Sequence, residues 1–396
     1  MATIQKRGDS YKITVSCGYR PDGTQVRRTT TWTLQPAMTA RQIEKELQRQ
    51  AVLFEEQCKA GTVADSNIKF QAFAEQWFRE YAEVRLKKRT IDLYHQFEAR
   101  TYKALGHLRM GAITTRKVQL FILNLQEDGI NKRTNKKLAP KTIKNYLSFV
   151  STIFDYAVSQ GVVVANPCHG VTLPAMEKVE RNVYTIEEAQ QFLELLEHEP
   201  IQWRTFFTLA VYGGFRRGEL FGFEWKDVDF DSGVITVNRT SNYSTGRGVF
   251  TDTPKTTGSQ RSLKLPEGVI LLLKQYRAEQ TAERLRLGSQ WIDTDRLFTS
   301  WNGEAIYPSS AKNWFDRFCD RTGMRKVNIH SFRHLNASLL ITSGADVKTV
   351  SAVLGHAQTT TTLNIYAHTF AAAQAKATNA VADALDLKKA DKINTK

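Results

Sequence analysis

The chain has 396 residues, 41% of them hydrophobic and 24% charged, a composition typical of folded proteins that argues against wholesale disorder. At about 150 residues per domain, this length predicts two or three domains. Lysine and arginine outnumber aspartate and glutamate by 55 to 40, a net charge of +15. Such a charge favours a polyanionic partner, first of all nucleic acid, although net charge alone is weak evidence for one.

The four cysteines, at positions 17, 58, 168 and 319, are scattered and lack the paired spacing of a zinc site. Their spread is typical of reduced thiols in a cytosolic protein. The first residues are polar, and no run of about 18 apolar residues occurs. We therefore expect no membrane contact and a cytoplasmic location.

The N-terminal segment, residues 1–62, is predicted to be a small α+β domain. Alternating apolar and polar residues predict a strand at 10–19, a second follows at 24–33, and residues 2–7 could add a third. A charged helix is predicted at 39–59. Because β-sheets can read DNA grooves, the basic residues of this sheet are candidate DNA contacts, with an ordinary solvated edge as an equally good explanation. These candidates are Lys6, Arg7, Arg27 and Arg28.

Residues 67–165 are predicted to be helical. Apolar residues recur at helical spacing from Phe70 to Tyr81, a second helix is predicted at 90–105, and a third begins after Pro140 and ends before Gly161. These apolar stripes indicate a core. Basic residues near the predicted helix starts are candidate DNA contacts, although any single one is as easily a solvated lysine or arginine. They are Lys87, Lys88, Arg89, Lys141 and Lys144.

A proline-marked polar stretch at 166–181 indicates the boundary before a large C-terminal domain. Five short patterns in that domain carry groups that could act on a phosphate. They are GGFRRGEL at 213–220, Lys255 in TPKTTG, HSFRH at 330–334, LGH at 354–356, and Tyr366.

Two of these patterns place charged residues three apart. Arg216 and Glu219 would share a helix face, so the carboxylate could hold the guanidinium, and His330 and Arg333 are spaced in the same way. Taken singly, each pattern is more often structural: a surface ion pair, an exposed turn lysine or a packed tyrosine.

In this order and spacing the five patterns resemble those of the tyrosine recombinases, the phage integrase family. That family carries G-x-R-x-x-E, a hairpin lysine, H-x-x-R, L-G-H and then a tyrosine, and every position matches. The helical segment resembles the family's core-site-binding domain, and the basic sheet resembles the arm-type domain of phage and conjugative-element integrases. The resemblance implies a multidomain, mainly α protein with small β-sheets. Its domains would be an arm-type DNA-binding domain (1–62), a helical core-site domain (67–165) and a catalytic domain with a C-terminal tail helix (180–396).

The resemblance also implies an activity: site-specific cleavage and rejoining of DNA through a 3′-phosphotyrosine formed by Tyr366. Covalent catalysis preserves the energy of the broken bond, so rejoining needs no ATP. Arg216 and Arg333 would clamp the phosphate, because planar, permanently charged guanidinium groups match its oxygens.

The remaining roles follow by the same resemblance. His330 would be the base that takes the phenol proton, Lys255 would protonate the departing 5′-oxygen, and His356 would hydrogen-bond a phosphate oxygen. Glu219 would brace Arg216. Lys264, on the same predicted hairpin, competes with Lys255 for its role, and Arg217 competes with Arg216. No cluster of Asp and Glu suggests a magnesium site, so we expect neither a metal nor another cofactor.

The expected partner is double-stranded DNA, at core and arm-type sites, in the nucleoid of a bacterial host. Recombination joins two sites, so four protomers should assemble on DNA, with the tail from residue 371 docking on a neighbour or on its own subunit. An excisionase or a host DNA-bending protein would be a further partner. The alternatives are a resolvase-type tyrosine recombinase, a topoisomerase-like relaxing enzyme, and a non-catalytic DNA-binding regulator on the same fold. The sequence leaves open whether Tyr366 acts in its own subunit or in a neighbour.

Overall fold

A computed structural model describes residues 2–19, 23–34, 38–59, 67–176, 182–244, 246–252 and 260–384. The chain divides into two compact units, residues 1–178 and 179–396. The first unit contains a small sheet and a group of helices. The five sequence patterns at positions 213–366 fall within the second unit.

The N-terminal sheet matches the predicted one closely. Its strands are antiparallel in the order β1-β2-β3, and helix α1 packs on β2 and β3. The alternation of β2 buries Ile13 and Val15 against Ala51 and Phe54 of the helix, as the period of two requires. The bounds are Thr3–Arg7 for β1, Ser10–Tyr19 for β2, Gln25–Thr33 for β3 and Ala40–Lys59 for α1.

The rest of the first unit is helical, as predicted. Two helices continue into single π-helical segments, Phe78–Ala82 and Tyr102–Gly106, which add the buried side chains of Phe78, Ala82 and Leu105 to the core. The helices are α2 (Phe70–Trp77), α3 (Glu83–Arg85), α4 (Lys88–Thr101), α5 (Thr115–Asn124) and α6 (Pro140–Ser159).

Aromatic contacts set the direction of α4 against α6. The rings of Phe97 and Tyr146 lie 4.4 Å apart, and those of Tyr94 and Phe149 lie 5.1 Å apart. From the first pair to the second, the contact lies three residues nearer the N-terminus of α4 and three residues nearer the C-terminus of α6. The two helices are therefore antiparallel. Their basic starts therefore lie at opposite ends of the pair, about 20 Å apart along the axes at 1.5 Å per residue.

The second unit combines eight helices with two small antiparallel sheets among its described residues. The helices are α7 (Ile186–Leu196), α8 (Ile201–Gly213), α9 (Arg217–Leu220), α10 (Glu267–Leu287), α11 (Ser310–Thr322), α12 (Ile329–Thr342), α13 (Val347–Leu354) and α14 (Thr359–Ala384). The strands are β4 (Val228–Asp229), β5 (Val234–Val237), β6 (Thr240–Ser244), β7 (Gly248–Asp252) and β8 (Arg261–Lys264).

The sheets of this unit differ from the sequence prediction in one respect. The sequence predicted one hairpin with Lys255 at its turn, and strands β5 and β8 on either side of that turn do pair with each other, in the order β4-β5-β8. A separate hairpin, β6–β7, is inserted between them. Lys255 follows this hairpin and lies outside the described residues, whereas Lys264 lies on β8, in the other sheet.

The core of the second unit is aromatic and centres on α8 and α12. Phe192, Phe207 and Phe332 are fully buried and contact one another through their rings. A second cluster lies between α12, α13 and α14 and contains Leu354 and Tyr366. No helix among the described residues is long and apolar enough to cross a membrane.

Candidate active site

Arg216 stands at a sharp turn between α8 and α9. Helix α8 ends at Gly214, which adopts a left-handed conformation with φ +56°, and an added Cβ there would lie 2.7 Å from Oδ1 of Asn336. Both the conformation and the space therefore require glycine. The turn makes Arg216 the residue that caps the short helix α9.

Glu219 fixes Arg216 in the way that the spacing predicted. Nη1 of Arg216 lies 2.6 Å from Oε1 of Glu219, and the backbone N–H of Arg216 donates to Oε2 at 2.9 Å. The carboxylate is almost fully buried, with Glu219 only 1% exposed, while the Arg216 side chain remains 36% exposed. Arg216, and not its competitor Arg217, makes this ion pair.

A third arginine, Arg261, holds the other side of the same carboxylate, and the sequence reading did not select it. Its Nη2 lies 2.9 Å from Oε2 of Glu219, and its Nη1 donates to Oε1 at 3.3 Å. Burial by itself would raise the pKa of Glu219, but the hydrogen bonds and charges of Arg261 and Arg216 outweigh it and lower that pKa. Glu219 is therefore a buried, ionised carboxylate shared by two arginines.

Three arginines donate hydrogen bonds to the C-terminus of α13. Three consecutive carbonyls there accept from three different guanidinium groups: that of Val353 from Nε of Arg261 at 2.6 Å, that of Leu354 from Nη2 of Arg333 at 2.6 Å, and that of Gly355 from Nη2 of Arg216 at 3.2 Å. The last carbonyls of a helix lack partners within it and form the negative end of its dipole, so cations are favoured there.

Gly355, the glycine of the LGH pattern, ends α13 in the left-handed conformation with φ +62°. An added Cβ would lie 2.7 Å from Nη1 of Arg261. The glycine thus turns the chain and leaves room for a guanidinium group.

Arg333 lies at the centre of the arginine cluster and is only 2% exposed. Besides Leu354, it donates from Nη1 to the carbonyl of Gly214 at 2.9 Å, so it joins the ends of α8 and α13. Burial, followed by repulsion from Arg216, lowers the pKa of Arg333 to about 9. It remains protonated at neutral pH.

His356 follows directly after Gly355. Its Nδ1 lies 2.8 Å from the hydroxyl of Thr362, which is itself 2.6 Å from the hydroxyl of Ser351. Burial, then the charges of Arg333 and Arg216, lower the pKa of His356 to about 4. The imidazole is therefore neutral at pH 7, with Nε2 left for another partner.

Tyr366 lies within the same group of helices. Its side chain is 2% exposed and packs with α12 and α13, and its backbone (φ −119°, ψ 19°) interrupts the regular geometry of α14. The phenol oxygen lies 2.6 Å from Nδ1 of His334. It is also close to Arg333, and a negative charge on the phenol oxygen would raise the pKa of that arginine.

The two histidines of the HSFRH pattern occupy different positions. His330, the residue assigned as base from the sequence, is exposed at the start of α12, and its ring centroid lies 4.9 Å from that of His334. His334, one turn further on, makes the direct contact with Tyr366. Its spacing of four from His330 was visible in the sequence and placed both on one helix face.

Comparison with known proteins agrees with this geometry. Residues 182–373 match the phage integrase family, and residues 69–173 match the phage integrase SAM-like domain. This chain belongs to the phage integrase family. The two matched regions together cover about three quarters of it.

Two relatives illustrate the similarity. A XerC-like tyrosine recombinase of Caldanaerobacter subterraneus subsp. tengcongensis is 33% identical over 255 residues, which cover 60% of this chain and 65% of that protein. The ICEBs1 integrase of Bacillus subtilis is 29% identical over 262 residues, which cover 65% of this chain and 67% of that protein. The match to the first of them thus spans slightly less than two thirds of its length.

Solved integrase structures share the fold. The Tn1549 transposon integrase in complex with a circular intermediate DNA gives a TM-score of 0.66 at 20% identity, over 79% of this chain and 99% of that one. A lambda integrase dimer bound to a COC′ core site gives a TM-score of 0.53 at 18% identity, over 90% of this chain and 91% of that one. At such identities the likeness concerns the fold alone.

The structure thus places the predicted catalytic residues that it describes around the ends of α8, α12 and α13 in the second unit. Lys255 lies outside the described part of the chain. Within that part, no group of three or more His, Cys, Asp and Glu residues is arranged to hold a metal ion.

The candidate DNA contacts lie in three places in the first unit. On the sheet, Lys6, Arg7 and Arg27 are exposed and Arg28 is half-buried. The others are all exposed: Lys87, Lys88 and Arg89 lie at the start of α4, and Lys141 and Lys144 lie at the start of α6.

We expect Glu219→Gln to lower the free energy of unfolding by about 3–5 kcal/mol, because it leaves two arginines around an uncharged group in a buried site. Urea unfolding at neutral pH measures the loss. The matched control is Glu283→Gln, which removes a 41% exposed carboxylate paired with Arg286 and should cost far less, because solvent screens an exposed ion pair. Equal losses in the two variants would contradict the burial of this ion pair.

We expect His356 to make the stability of the DNA-free protein fall with acidification. The pKa of His356 is about 4 in the folded protein, against an ordinary histidine value of 6.5. Between pH 6.5 and pH 4, the unfolded chain therefore binds a proton at this residue that the folded chain does not. Stability is thus present above pH 6.5 and is lost as the pH falls towards 4. His356→Gln should flatten this part of the pH profile of unfolding free energy, and an unchanged profile would contradict the assignment. His198→Gln, at an exposed position of the same unit, controls for loss of an imidazole.

Proposed function

We propose that this protein is a site-specific recombinase, an integrase that cleaves and rejoins DNA through a 3′-phosphotyrosine intermediate and so integrates and excises a phage or another mobile element. The observation that carries the proposal is the meeting of Arg216, Arg333 and Tyr366 around the end of α13. Phosphoryl transfer requires a positioned nucleophile and fixed positive charge, and this cluster has both.

The two arginines would bind the non-bridging oxygens of the phosphate, where negative charge builds up during transfer. Each is already held by backbone carbonyls, and Arg216 also by Glu219, so little reorganisation is needed when DNA arrives. Arg216 has the more accessible guanidinium of the two. Arg333 would act from deeper in the cluster.

In the proposed step, the oxygen of Tyr366 forms a bond to phosphorus and the bond from phosphorus to the 5′-oxygen breaks. The 5′-oxygen leaves as a hydroxyl, with its proton supplied by Lys255 according to the family resemblance. The neutral ring of His356, with Nδ1 engaged by Thr362, would offer Nε2 to a phosphate oxygen. Attack of a 5′-hydroxyl on the phosphotyrosine reverses the step and rejoins a strand without ATP.

The phenol proton needs an acceptor, since a tyrosine hydroxyl has an ordinary pKa near 10 and is a poor nucleophile at pH 7. The family resemblance assigns this role to His330. The contact between Tyr366 and His334 supports His334 instead, because a general base must lie within hydrogen-bonding distance of the proton it removes. We therefore propose His334 as the acceptor, with His330 as the alternative.

We further propose that Tyr366 attacks in its own subunit. In support, its ring packs against helices of the same chain and its hydroxyl contacts His334 of that chain. The portion of α14 beyond Ala373 is mostly exposed, which favours docking of this alanine-rich tail on a neighbouring subunit in a tetramer on DNA.

The first unit would supply most of the DNA affinity. We propose that residues 1–62 form an arm-type DNA-binding domain and residues 67–165 a core-site domain, with residues 180–396 as the catalytic domain. The separate hydrophobic clusters of the sheet and the helices support this division. Basic residues at opposite ends of α4 and α6 would contact phosphates some distance apart on the duplex. An excisionase or a host DNA-bending protein would assist in the bacterial cytoplasm.

A resolvase-type recombinase would use the same chemistry, and a non-catalytic regulator would use the same fold. The basic N-terminal sheet favours an integrase with a second class of DNA site over a resolvase. The ordered arginine cluster around Tyr366 favours an enzyme over a regulator, because a regulator has no need of it.

Tyr366→Phe should abolish covalent attachment to DNA, because it removes the attacking oxygen while keeping the packed ring. The measurement is gel analysis of protein-linked DNA after incubation with a nicked suicide duplex from which the cleaved fragment diffuses away. Tyr243→Phe, at an exposed tyrosine of the same unit, should leave the link intact. Absence of any link with the unaltered protein on its own element's ends would favour the regulator.

We expect His334→Asn to lower the single-turnover cleavage rate by about 10²–10⁴-fold, because an amide can hydrogen-bond to Tyr366 but takes up no proton. His334→Leu should be equally impaired. If His334 only positions the phenol, the Asn variant will cleave much faster than the Leu variant. If His330 is the base, His330→Asn will show the larger loss.

A further inference from the structure

The arginine cluster contains one member to which the proposed chemistry gives no role. Arg261 lies at the start of β8, immediately after the described part of the chain resumes at residue 260. Its side chain is 7% exposed, so it is far less accessible to DNA than Arg216.

Among the described residues, Arg261 contacts Glu219, the end of α13 and Phe215, and each of these lies next to Arg216 or binds it. The guanidinium group makes a two-pronged ion pair with Glu219, donates from Nε to the carbonyl of Val353, and lies 5.5 Å from the ring centroid of Phe215. Phe215 directly precedes Arg216, and Glu219 is the carboxylate partner of Arg216. Arg261 therefore contacts both the carboxylate that binds Arg216 and the residue that precedes Arg216 in the chain.

The arrangement explains how a fully buried carboxylate can orient an arginine in one direction. The contacts between Glu219 and Arg216 are local, three residues apart, and tie the carboxylate to no other element. With one edge held by Arg261, which is in turn anchored to α13, the carboxylate presents a fixed edge to Arg216. The carbonyl of Gly355, on the same helix end, supplies the second fixed point.

We propose that Arg261 is a positioning residue of the phosphate clamp, which acts by locking Glu219 and the end of α13 so that Arg216 points at the reacting phosphate. The inference rests on the proposed recombinase activity. It assigns to strand β8 a part in catalysis that does not involve contact with DNA.

The first test is Arg261→Met, which keeps much of the length of the side chain and removes the charge and all N–H donors. Cleavage of the suicide duplex is followed in single turnover at saturating protein, and DNA affinity is measured separately by titration. We expect the cleavage rate to fall by about 10²-fold, the scale of an ångström-sized misplacement of a reacting group. The dissociation constant for DNA should change by less than about 2-fold, since a buried residue makes no phosphate contact.

A double-mutant cycle with Arg216→Lys separates positioning from general loss of structure. Lysine keeps the charge at 216 but cannot bond to Glu219 and Gly355 at once, because it lacks the guanidinium fork. If Arg261 acts through Arg216, the double variant should cleave no more than about 3-fold slower than Arg216→Lys alone. Losses that multiply would mean an independent role and would overturn the proposal.

The matched control is Arg239→Met. Arg239 is another largely buried arginine of this unit, paired with the buried carboxylate of Asp227 and with Glu224, and it has no role in the proposed site. Its removal should lower the melting temperature but leave the cleavage rate of the folded protein within about 3-fold of the original, because a variant that is still folded keeps its clamp. A loss as large as that of Arg261→Met would show that any broken ion pair impairs cleavage, and the proposal would fail.

Arg261→Lys keeps the inference testable if Arg261→Met does not fold. Its ammonium can still face Glu219 but cannot also reach Val353, so we expect cleavage between that of the original protein and that of the Met variant. Cleavage at the original rate by Arg261→Lys, or a loss confined to DNA affinity, would overturn the proposal. Failure of the proposed function itself is separate, since the unaltered protein would then form no link that depends on Tyr366.

Discussion

The buried carboxylate of Glu219 is the contact on which the candidate site depends. A charged carboxylate is costly to bury, and it is tolerated here because Arg216 and Arg261 surround it. Since each arginine also donates to the end of α13, the carboxylate ties the turn after α8 and strand β8 to one helix terminus. The two ion pairs offset the cost of burying the carboxylate, and together they hold the charges in a fixed arrangement. Stabilisation of a developing phosphate charge requires such fixed charges.

The glycine-ended helices serve the same arrangement. Gly214 and Gly355 each end a helix in the left-handed conformation, and the carbonyl of each accepts from an arginine of another motif: Gly214 from Arg333, and Gly355 from Arg216. The GGFRRGEL motif is therefore linked to both the HSFRH and the LGH motifs. Two helix C-termini, where the backbone carries partial negative charge, hold two cations about a common point. Such order before DNA binds is consistent with a site that acts on a phosphate.

The position of Tyr366 adds the proposed nucleophile to this ordered charge. A non-helical residue within α14 allows the ring to turn into the cluster between α12 and α13, and His334 then receives the hydroxyl. The same helix continues as a largely exposed alanine-rich tail. One element therefore carries both the proposed nucleophile and the proposed docking surface for a neighbouring subunit.

The sequence by itself determined the elements and the motif residues. Strand alternation located β2, helical periodicity located α2 and α6, and the spacing of the five patterns identified the residues that the structure brings together, apart from Lys255. Only the tertiary structure revealed the β6–β7 hairpin and the antiparallel direction of α4 and α6, and it alone gave Arg261 and His334 their partners. The physical reason is range: helix and strand patterns reflect neighbours a few residues apart, whereas Arg261 bonds to a carbonyl 92 residues away and Arg216 to one 139 residues away. Such pairs form only when the packed core has brought distant segments into contact.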